Sequence, residues 1–468
     1  MSIVLALDIG TSKLCALAFS ARRREVLAVV SAPNDADVAD LPASRHEQNP
    51  SRIRDRCLAL LEELLRSDDV PVDDVAGIGM SGQMHGALLV DDELAPLTNF
   101  ITWRDERSLP PEADGSLDEA LSRLDSSLPV RAGTRLNAGY GAATLFWLSR
   151  NGQLQPGARA LTIADYVGAC LRGAVSTEPT HAASWGVLDA TRLEWDADSI
   201  GRLGLPAGLF PEIRPSATPV GVLAPEMARK LGLPGSVQVC APVGDNQASV
   251  IGAAGFSGDV AIVNLGTGGQ ISVRKEEYEF VKHLETRPMP FGGYILVGAS
   301  LCGGWSFAYL CSFFDAVISE LADVNIPQSE LYARIDQLVA DTPSGAGGLT
   351  VDTRFSGTRA QPHIRGGVAG VDRHNLTPGN LARAFVEGMV RELAETGRTA
   401  GISHVSRIIA CGNAVRKNPI VAEIIEREFG LACHVGPERE EAALGAAYCT
   451  AVGLGLLSVS DVNQVCSS

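Results

Sequence analysis

The sequence predicts an α/β fold with two domains. A chain of 468 residues is too long for one hydrophobic core, so two domains, or three, are expected. Short apolar stretches alternate with amphipathic helical stretches in both halves. An apolar strand followed by a Gly–Thr turn opens the chain and recurs in the second half, which indicates two halves built alike. We place the boundary so that the domains span residues 1–243 and 244–468.

The first half opens with a predicted meander of strands. Four short apolar stretches bounded by turn residues are typical of strands and lie at residues 3–8, 14–20, 26–31 and 75–80. Between the last two, residues 51–66 have helical periodicity, with Ser51 as the candidate N-cap.

The second half repeats this plan. Residues 261–273 read as strand, glycine-rich turn and strand, and 407–415 as strand and turn. Predicted helices lie at 381–397, ended by Gly397, and at 419–429 and 441–454. Because ligands of open α/β sheets bind at the carboxyl ends of strands, we expect the site in the cleft between the halves.

Composition narrows the class of protein. With 46% apolar and 20% charged residues the chain is globular, and its net charge of −16 argues against a nucleic-acid partner. Ten cysteines without a CxxC pair or a His/Cys cluster argue against zinc and against a disulfide scaffold. The N-terminus is not a signal peptide, and no apolar run reaches the roughly 18–20 residues of a membrane span. We therefore expect a cytoplasmic protein with no membrane partner.

Two turns could bind a nucleotide. In D-I-G-T-S (8–12) an acid at a strand end can hold Mg²⁺, and the backbone N–H groups that follow can bind phosphate. A plain β-turn explains the same residues equally well. N-L-G-T-G-G-Q (264–270) matches neither the P-loop nor the dinucleotide fingerprint, and a hairpin turn is its alternative.

Three further stretches carry candidate polar side chains. Gln83 and His85 lie on the glycine-flanked turn S-G-Q-M-H-G (81–86). In W-R-D-E-R (103–107) an aromatic residue stands beside charged residues, which indicates either a sugar site or a surface ion-pair patch. Asp245, in G-D-N-Q-A-S (244–249), follows an apolar run and has no cation in its segment. On this segment alone, the structural interpretation of Asp245 is a turn or a helix cap.

Taken together and in this order, these motifs resemble the FGGY family of carbohydrate kinases. The resemblance also includes C-G-N-A-V-R-K-N-P (411–419) and E-E-A-A-L-G-A-A (440–447), so it runs over essentially the whole chain. S-G-Q-M-H-G (81–86) is similar to the xylulokinase and sedoheptulokinase branch. Three further stretches most resemble sedoheptulokinase: F-I-T-W-R-D-E-R-S (100–108), G-Y-G-A-A-T-L-F-W-L (139–148) and A-A-S-W-G-V-L-D (182–189). The resemblance implies an actin-like, ribonuclease-H-like α/β fold of two domains with the active site in the interdomain cleft.

The resemblance also implies roles for single residues. Asp245 would be the general base that takes the proton from a terminal ketose hydroxyl as its oxygen attacks ATP, and Asp8 with Asp245 would hold Mg²⁺. The sugar site would be lined by Gln83, Met84, His85, Trp103, Tyr140, Trp185 and Asp245. ATP would contact Gly10, Thr11, Ser12, Lys13, Gly266, Thr267, Gly345, Gly412, Asn413 and Asn418.

Three positions depart from the family pattern. Relatives often carry Lys or Arg where Cys15 stands, and Lys13 comes about two residues too early to take that place. The family's G-x-R-x-P appears as S-G-T-R-A-Q-P, which keeps Arg359 but displaces the proline. Glu106 replaces the glycine of W-x-D-G-R, which can shift Arg107 or narrow the sugar pocket.

These departures leave the substrate open among sedoheptulose, D-xylulose and other sugars or polyols of the family. A non-catalytic actin-like or Hsp70-like ATP-binding module is the alternative from another class. The partners we expect are a small sugar and ATP, and a homodimer is one alternative for the assembly.

Overall fold

Two β-sheets, one in each half of the chain, organise the computed structural model, which describes residues 2–266, 268–300, 303–355, 357–358, 363–436 and 440–467. In the first sheet the strand order is Pro219–Val222, Gln238–Cys240, Val75–Gly82, Ile3–Ile9, Lys13–Ser20 and Glu25–Pro33. Val243–Gly244 also pairs with Val75–Gly82, in parallel. In the second sheet the order is Glu285–Pro288, Tyr294–Ser300, Gly269–Lys275, Val260–Leu265, Arg407–Cys411 and Ala432–Val435.

The two sheets follow one pattern. In each, three antiparallel strands are followed by two further strands parallel to the innermost of the three. This shared order explains the recurrence of the strand–Gly–Thr turn. Four smaller two-stranded sheets pair Glu47–Gln48 with Phe100–Ile101, Leu88–Val90 with Arg159–Leu161, Leu188–Asp189 with Glu194–Trp195, and Thr350–Asp352 with Gly367–Ala369.

Helices cover both sheets. Those before residue 244 are Pro50–Leu64, Leu117–Arg123, Leu128–Ala132, Gly141–Arg150, Ile163–Arg172, Pro179–Ala183, Ala197–Arg202 and Pro225–Leu231. Those after it are Asp245–Ala254, Gly304–Ala322, Gln328–Asp341, Pro378–Thr399, Asn413–Lys417, Pro419–Phe429, Glu441–Gly453 and Val459–Ser467. Within the described part of the chain, we find no helix with the length and apolarity that a membrane crossing needs.

Two predicted helix ends were wrong. The first helix begins at Pro50 and is capped by the side chain of Asn49, which accepts a hydrogen bond from the Arg52 amide, so Ser51 lies inside it. Gly397 does not end its helix, which continues to Thr399. A Cβ at Gly397 would lie 2.8 Å from Ile271, so this glycine serves close packing of the helix on the sheet.

The helices Asp245–Ala254 and Glu441–Gly453 cross where both carry glycine. A Cβ on Gly445 would lie 1.8 Å from the Ala248 carbonyl oxygen, and one on Gly252 would lie 1.9 Å from that of Glu441. The helix Glu441–Gly453 also packs on the strands Ile3–Ile9 and Val75–Gly82 of the first sheet. Side chains from both halves therefore share one hydrophobic cluster beneath the cleft.

Candidate functional site

Asp8 and Asp245 lie at the carboxyl ends of strands that belong to one sheet. Asp8 is in the strand Ile3–Ile9, and Asp245 is the first residue of the helix that follows the strand Val243–Gly244. Both strands pair in parallel with Val75–Gly82, and the Ser81 hydroxyl donates to Asp8 Oδ1 at 2.8 Å. The topology thus brings the two acids to one edge of the sheet, where ligands of α/β folds bind.

The surroundings of both acids favour the protonated form. Burial raises the pKa of Asp245 to about 7; the negative charge of Asp8 adds to this rise and Arg287 opposes it. Burial also raises the pKa of Asp8 to about 6, against the hydrogen bond from Ser81. A carboxyl with a pKa near neutrality can accept a proton in a reaction at neutral pH.

The pair also fits a magnesium ion held mainly by phosphate. Two facing carboxylates repel each other, and a divalent cation removes that repulsion. Mg²⁺ usually takes one or two carboxylates together with water and phosphate oxygens. Among the described residues no group of three or more His, Cys, Asp or Glu side chains is placed to hold a metal. Asp8 and Asp245 would thus hold Mg²⁺ only together with phosphate oxygens and water.

The predicted sugar residues of the first half mostly come together. Gln83, Met84 and His85 follow the strand Val75–Gly82 directly. The Thr11 hydroxyl donates to Gln83 Oε1 at 3.0 Å and accepts from Trp103 Nε1 at 3.0 Å. The Tyr140 ring stacks on His85 with 4.3 Å between centroids. These contacts connect the predicted phosphate turn (residues 8–12) to the residues predicted to line the sugar site, which we call the predicted sugar wall.

Trp185 lies behind this wall. Its side chain is 2% exposed, its indole donates to the Gly86 carbonyl at 3.2 Å, and it packs on Trp195 and Phe210. A Cβ on Gly141 would collide with its ring. Trp185 therefore supports the turn that carries His85, and its ring lies in the core.

The W-R-D-E-R motif forms a buried ion-pair group beside exposed Trp103. Arg107 donates to Asp105 and to Glu47, and its guanidinium lies over the Trp147 ring. Glu106 is exposed. Arg107 is thus held by its protein partners, and the substitution of glycine by Glu106 does not displace it from them.

The predicted phosphate turn at residues 8–12 is tight, and the Lys13 that follows it contacts the second half of the chain. The Gly10 amide donates to the Lys13 carbonyl, and a Cβ on Gly10 would lie 2.8 Å from that oxygen. Ser12 is exposed, and Lys13 Nζ pairs with Glu440 at 2.6 Å. Cys15, which stands where relatives often have a cation, pairs with Asp8 in the sheet and is fully buried. The positive charge of Lys13 next to this turn is therefore paired with a carboxylate of the second half.

The turns predicted to hold the nucleotide lie at two places in the second half. Gly412 (φ 96°) lies against the Leu265 carbonyl, so its turn adjoins the turn of Gly266. Among the described residues, no atom lies near the position that a Cβ on Gly266 would take. Thr267 and Arg359 are outside the described residues, as is the side chain of Asn413.

Gly345 and Asn418 are connected through a neighbouring helix. The Gly345 amide donates to Glu387, which pairs with Arg427 of the helix Pro419–Phe429. Asn418 caps that helix and donates to Asp336 at 2.8 Å. Its side chain is therefore engaged by protein groups.

The sequence interpretation missed a charged strand at the site. Arg287, in the strand Glu285–Pro288, donates to Asn246 Oδ1 at 3.0 Å and pairs with Glu285 at 2.8 Å. Glu285 in turn accepts a hydrogen bond from the Tyr140 hydroxyl at 2.9 Å. An Arg two residues after a Glu in the short segment E-T-R-P is the signal that the sequence offers, and it is a weak one.

A second missed group lies beneath the site, in the segment Pro179–Ala183 with flanking Glu178 and Ser184, which we name the support helix. The Thr180 hydroxyl donates to buried Glu178 and accepts from the Gly244 amide at 2.7 Å. The Ser184 hydroxyl and carbonyl accept from the His85 amide and from His85 Nδ1 at 2.9 and 2.8 Å. One short helix thus positions both the residue before Asp245 and the imidazole of His85.

Comparison with known proteins matches both halves. The N-terminal domain of the FGGY family of carbohydrate kinases matches residues 3–252, and the C-terminal domain of that family matches 261–454. The chain is 28% identical to xylulose kinase of Bacillus subtilis over 97% of its length and 89% of the relative's. It is 28% identical to sedoheptulokinase of Mus musculus over 86% of each.

Solved structures show the same fold. Xylulose kinase from Rhodospirillum rubrum superposes with a TM-score of 0.86 at 24% identity, covering 98% of this chain and 92% of that one. Gluconate kinase from Lactobacillus acidophilus superposes with a TM-score of 0.85 at 20% identity, covering 99% and 92%. The two-domain actin-like fold is therefore confirmed. This chain belongs to the FGGY family of carbohydrate kinases.

Proposed function

We propose that this kinase phosphorylates a terminal hydroxyl of a ketose with ATP, with sedoheptulose as the first candidate and D-xylulose as the second. Relatives named sedoheptulokinase and xylulose kinase match at similar identity over most of the chain, so a ketose is the substrate class that we propose first. The motifs around Trp103, Tyr140 and Trp185 favour sedoheptulose. The first half, residues 1–243, would carry most of the sugar site, and 244–468 the nucleotide site.

Asp245 carries the proposal. Its carboxylate stands at the sheet edge beside Asp8, and the Asn246 next to it meets Arg287 near the predicted sugar wall. As general base it takes the proton from the substrate hydroxyl while the hydroxyl oxygen attacks the γ-phosphorus and ADP leaves. Phosphoryl transfer depends mainly on positioning and charge neutralisation, which the two acids and the glycine turns can supply.

Mg²⁺, when bound, would neutralise charge on the transferred phosphoryl group. Asp8 and Asp245 are the residues we assign to it. The backbone amides of the turns at Gly10, Gly266 and Gly412 would face the phosphates and the adenosine, because glycine lets a backbone approach a ligand closely.

The test is ADP release with ATP and Mg²⁺ against sedoheptulose, D-xylulose, D- and L-ribulose, D-fructose, gluconate and glycerol. We expect one ketose to dominate. Asp245→Asn is expected to abolish sugar-dependent turnover while ATP and sugar binding persist, whereas Asp198→Asn, in an exposed ion pair, leaves it unchanged. Turnover by Asp245→Asn near the wild-type rate would disprove the mechanism. Preference for a polyol would disprove the ketose assignment. The absence of ADP release with every sugar of the panel, although ATP binds, would disprove it as well.

A further inference from the structure

The strand Glu285–Pro288 brings two charged side chains of the second half to the sugar wall of the first. Arg287 Nη1 lies 3.0 Å from Asn246 Oδ1 and 3.8 Å from Met84 Sδ. Only 10% of the Arg287 side chain and 15% of the Glu285 side chain are exposed. The pair is therefore largely desolvated at the point where the two halves meet.

The contacts of this pair form one continuous row. Glu285 accepts from the Tyr140 hydroxyl through one oxygen and from Arg287 through the other, and Tyr140 stacks on His85. At its other end the row reaches Asn246, the neighbour of Asp245. Along this wall, Asp245 marks the reacting end, and Tyr140 with Glu285 lies farther from it.

The strand is fixed to the first half by its backbone. The Thr286 amide donates to the Gly133 carbonyl at 2.8 Å. A Cβ on Gly133 would lie 2.3 Å from the Thr286 carbonyl oxygen, so the two segments touch without intervening space. The pair is therefore held in a defined position, as a site that reads ligand stereochemistry requires.

Glu285 is not sealed in the core. Tyr140 and Glu285 line a cavity of about 430 Å³ whose other polar lining includes Asn137, Lys282 and His283. Burying an ion pair costs desolvation free energy that a hydrophobic pair of similar volume would avoid. Carboxylate acceptors and guanidinium donors are the groups that hydrogen-bond sugar hydroxyls.

We propose that Glu285 and Arg287 determine which ketose is used, by hydrogen-bonding hydroxyls remote from the one that is phosphorylated. This inference rests on the proposed ketose kinase activity. A buried polar group that loses its partner hydroxyl discriminates strongly against the incomplete substrate. Loss of the Glu285 carboxylate or of the Arg287 guanidinium donors therefore alters the ratio between substrates and leaves the handling of ATP unchanged.

The test compares kcat/KM for the preferred ketose with that for glycerol, a three-carbon polyol that lacks the remote hydroxyls of the ketose. In Glu285→Gln and Arg287→Lys we expect kcat/KM for the ketose to fall about tenfold or more, with the glycerol value and the KM for ATP unchanged. Glu194→Gln is the matched control, because Arg192 and Glu194 form an exposed pair with the same spacing. It is expected to match the wild type.

Two results would overturn the inference and leave the proposed function intact. One is an unchanged ratio of kcat/KM for the ketose to kcat/KM for glycerol. The other is an equal loss of kcat/KM for both substrates and for ATP, together with a lower Tm. Sugar affinity measured by calorimetry in the Asp245→Asn background gives a readout independent of turnover, and Glu285→Gln is expected to weaken it there. If the wild type phosphorylates no ketose, the proposed function fails first and the inference fails with it.

Discussion

Asp165 shows how burial sets the charge of a single side chain. Its Oδ2 accepts from the hydroxyls of Thr162 and Thr177 at 2.8 Å, while buried Oδ1 has no hydrogen-bond partner among the described residues. Burial raises its pKa to about 7, and the two hydroxyl bonds only partly oppose the rise. Ionising this carboxyl in the folded chain therefore costs free energy.

The sign of the resulting pH dependence follows from proton binding. Between about pH 4 and pH 7 the folded state holds a proton on Asp165 that the unfolded chain has lost, so its contribution to the unfolding free energy falls as pH rises. Asp165→Asn removes this dependence. From pH 4 to pH 8 we expect the Tm of Asp165→Asn to rise relative to that of the wild type. The corresponding change in the difference between their free energies of unfolding is on the order of a few kcal/mol. A difference that stays constant with pH would contradict this account.

At the scale of elements, the support helix couples two parts of the site. Thr180→Val keeps the shape of the side chain but leaves the Gly244 amide without its acceptor, which costs roughly 1–3 kcal/mol. Because Gly244 precedes Asp245, we expect kcat to fall about tenfold while the KM for ATP stays the same. Thr180→Ser keeps the hydroxyl and is expected to retain activity. Equal loss in both variants would show that the hydrogen bond to the Gly244 amide does not by itself account for the effect.

The crossing of the helices Asp245–Ala254 and Glu441–Gly453 depends on its glycines. A Cβ at Gly445 would enter the Ala248 carbonyl, which belongs to the rigid backbone, so Gly445→Ala must push the helices apart. We expect a cost of about 1–3 kcal/mol and a lower Tm. Gly201→Ala is the control, since that helical glycine has open space and gains stability. A Tm for Gly445→Ala equal to that of the control would contradict this packing.

At the scale of the whole molecule, the candidate site draws residues from both halves. Lys13 pairs with Glu440, Ser81 contacts the Ala442 carbonyl, and Arg287 reaches Met84 across the chain. A site divided in this way is completed when the halves approach, and exclusion of water protects the phosphoryl group from hydrolysis. We infer that the halves close over the two substrates.

Small-angle X-ray scattering measures this closure. We expect the radius of gyration to decrease when sugar and a non-hydrolysable ATP analogue are both present, and to change less with either one. The same titration on Gly201→Ala serves as a control, because Gly201 is exposed and no described atom lies within 4 Å of a Cβ built there. An unchanged radius with both ligands bound would rule out closure.

The sequence by itself determined the family, the two alike halves and the position of the acids at strand ends. These features follow from local patterns, since strand periodicity and glycine turns are written in consecutive residues. Asp8, His85 and Asp245 could be named because each lies in a short motif next to a strand. Pattern alone misjudged Gly397, because a glycine needed for close packing looks the same as one that ends a helix.

Only the tertiary structure decided which distant side chains meet. Glu285 is far from Tyr140 along the chain, and Thr180 is far from Gly244, yet each pair is joined by one hydrogen bond. The structure also placed Trp185 in the core, because the ring fills the space that Gly141 leaves open. Such contacts depend on how whole elements pack, and the free energy of packing is summed over many residues, so no single stretch of sequence contains it.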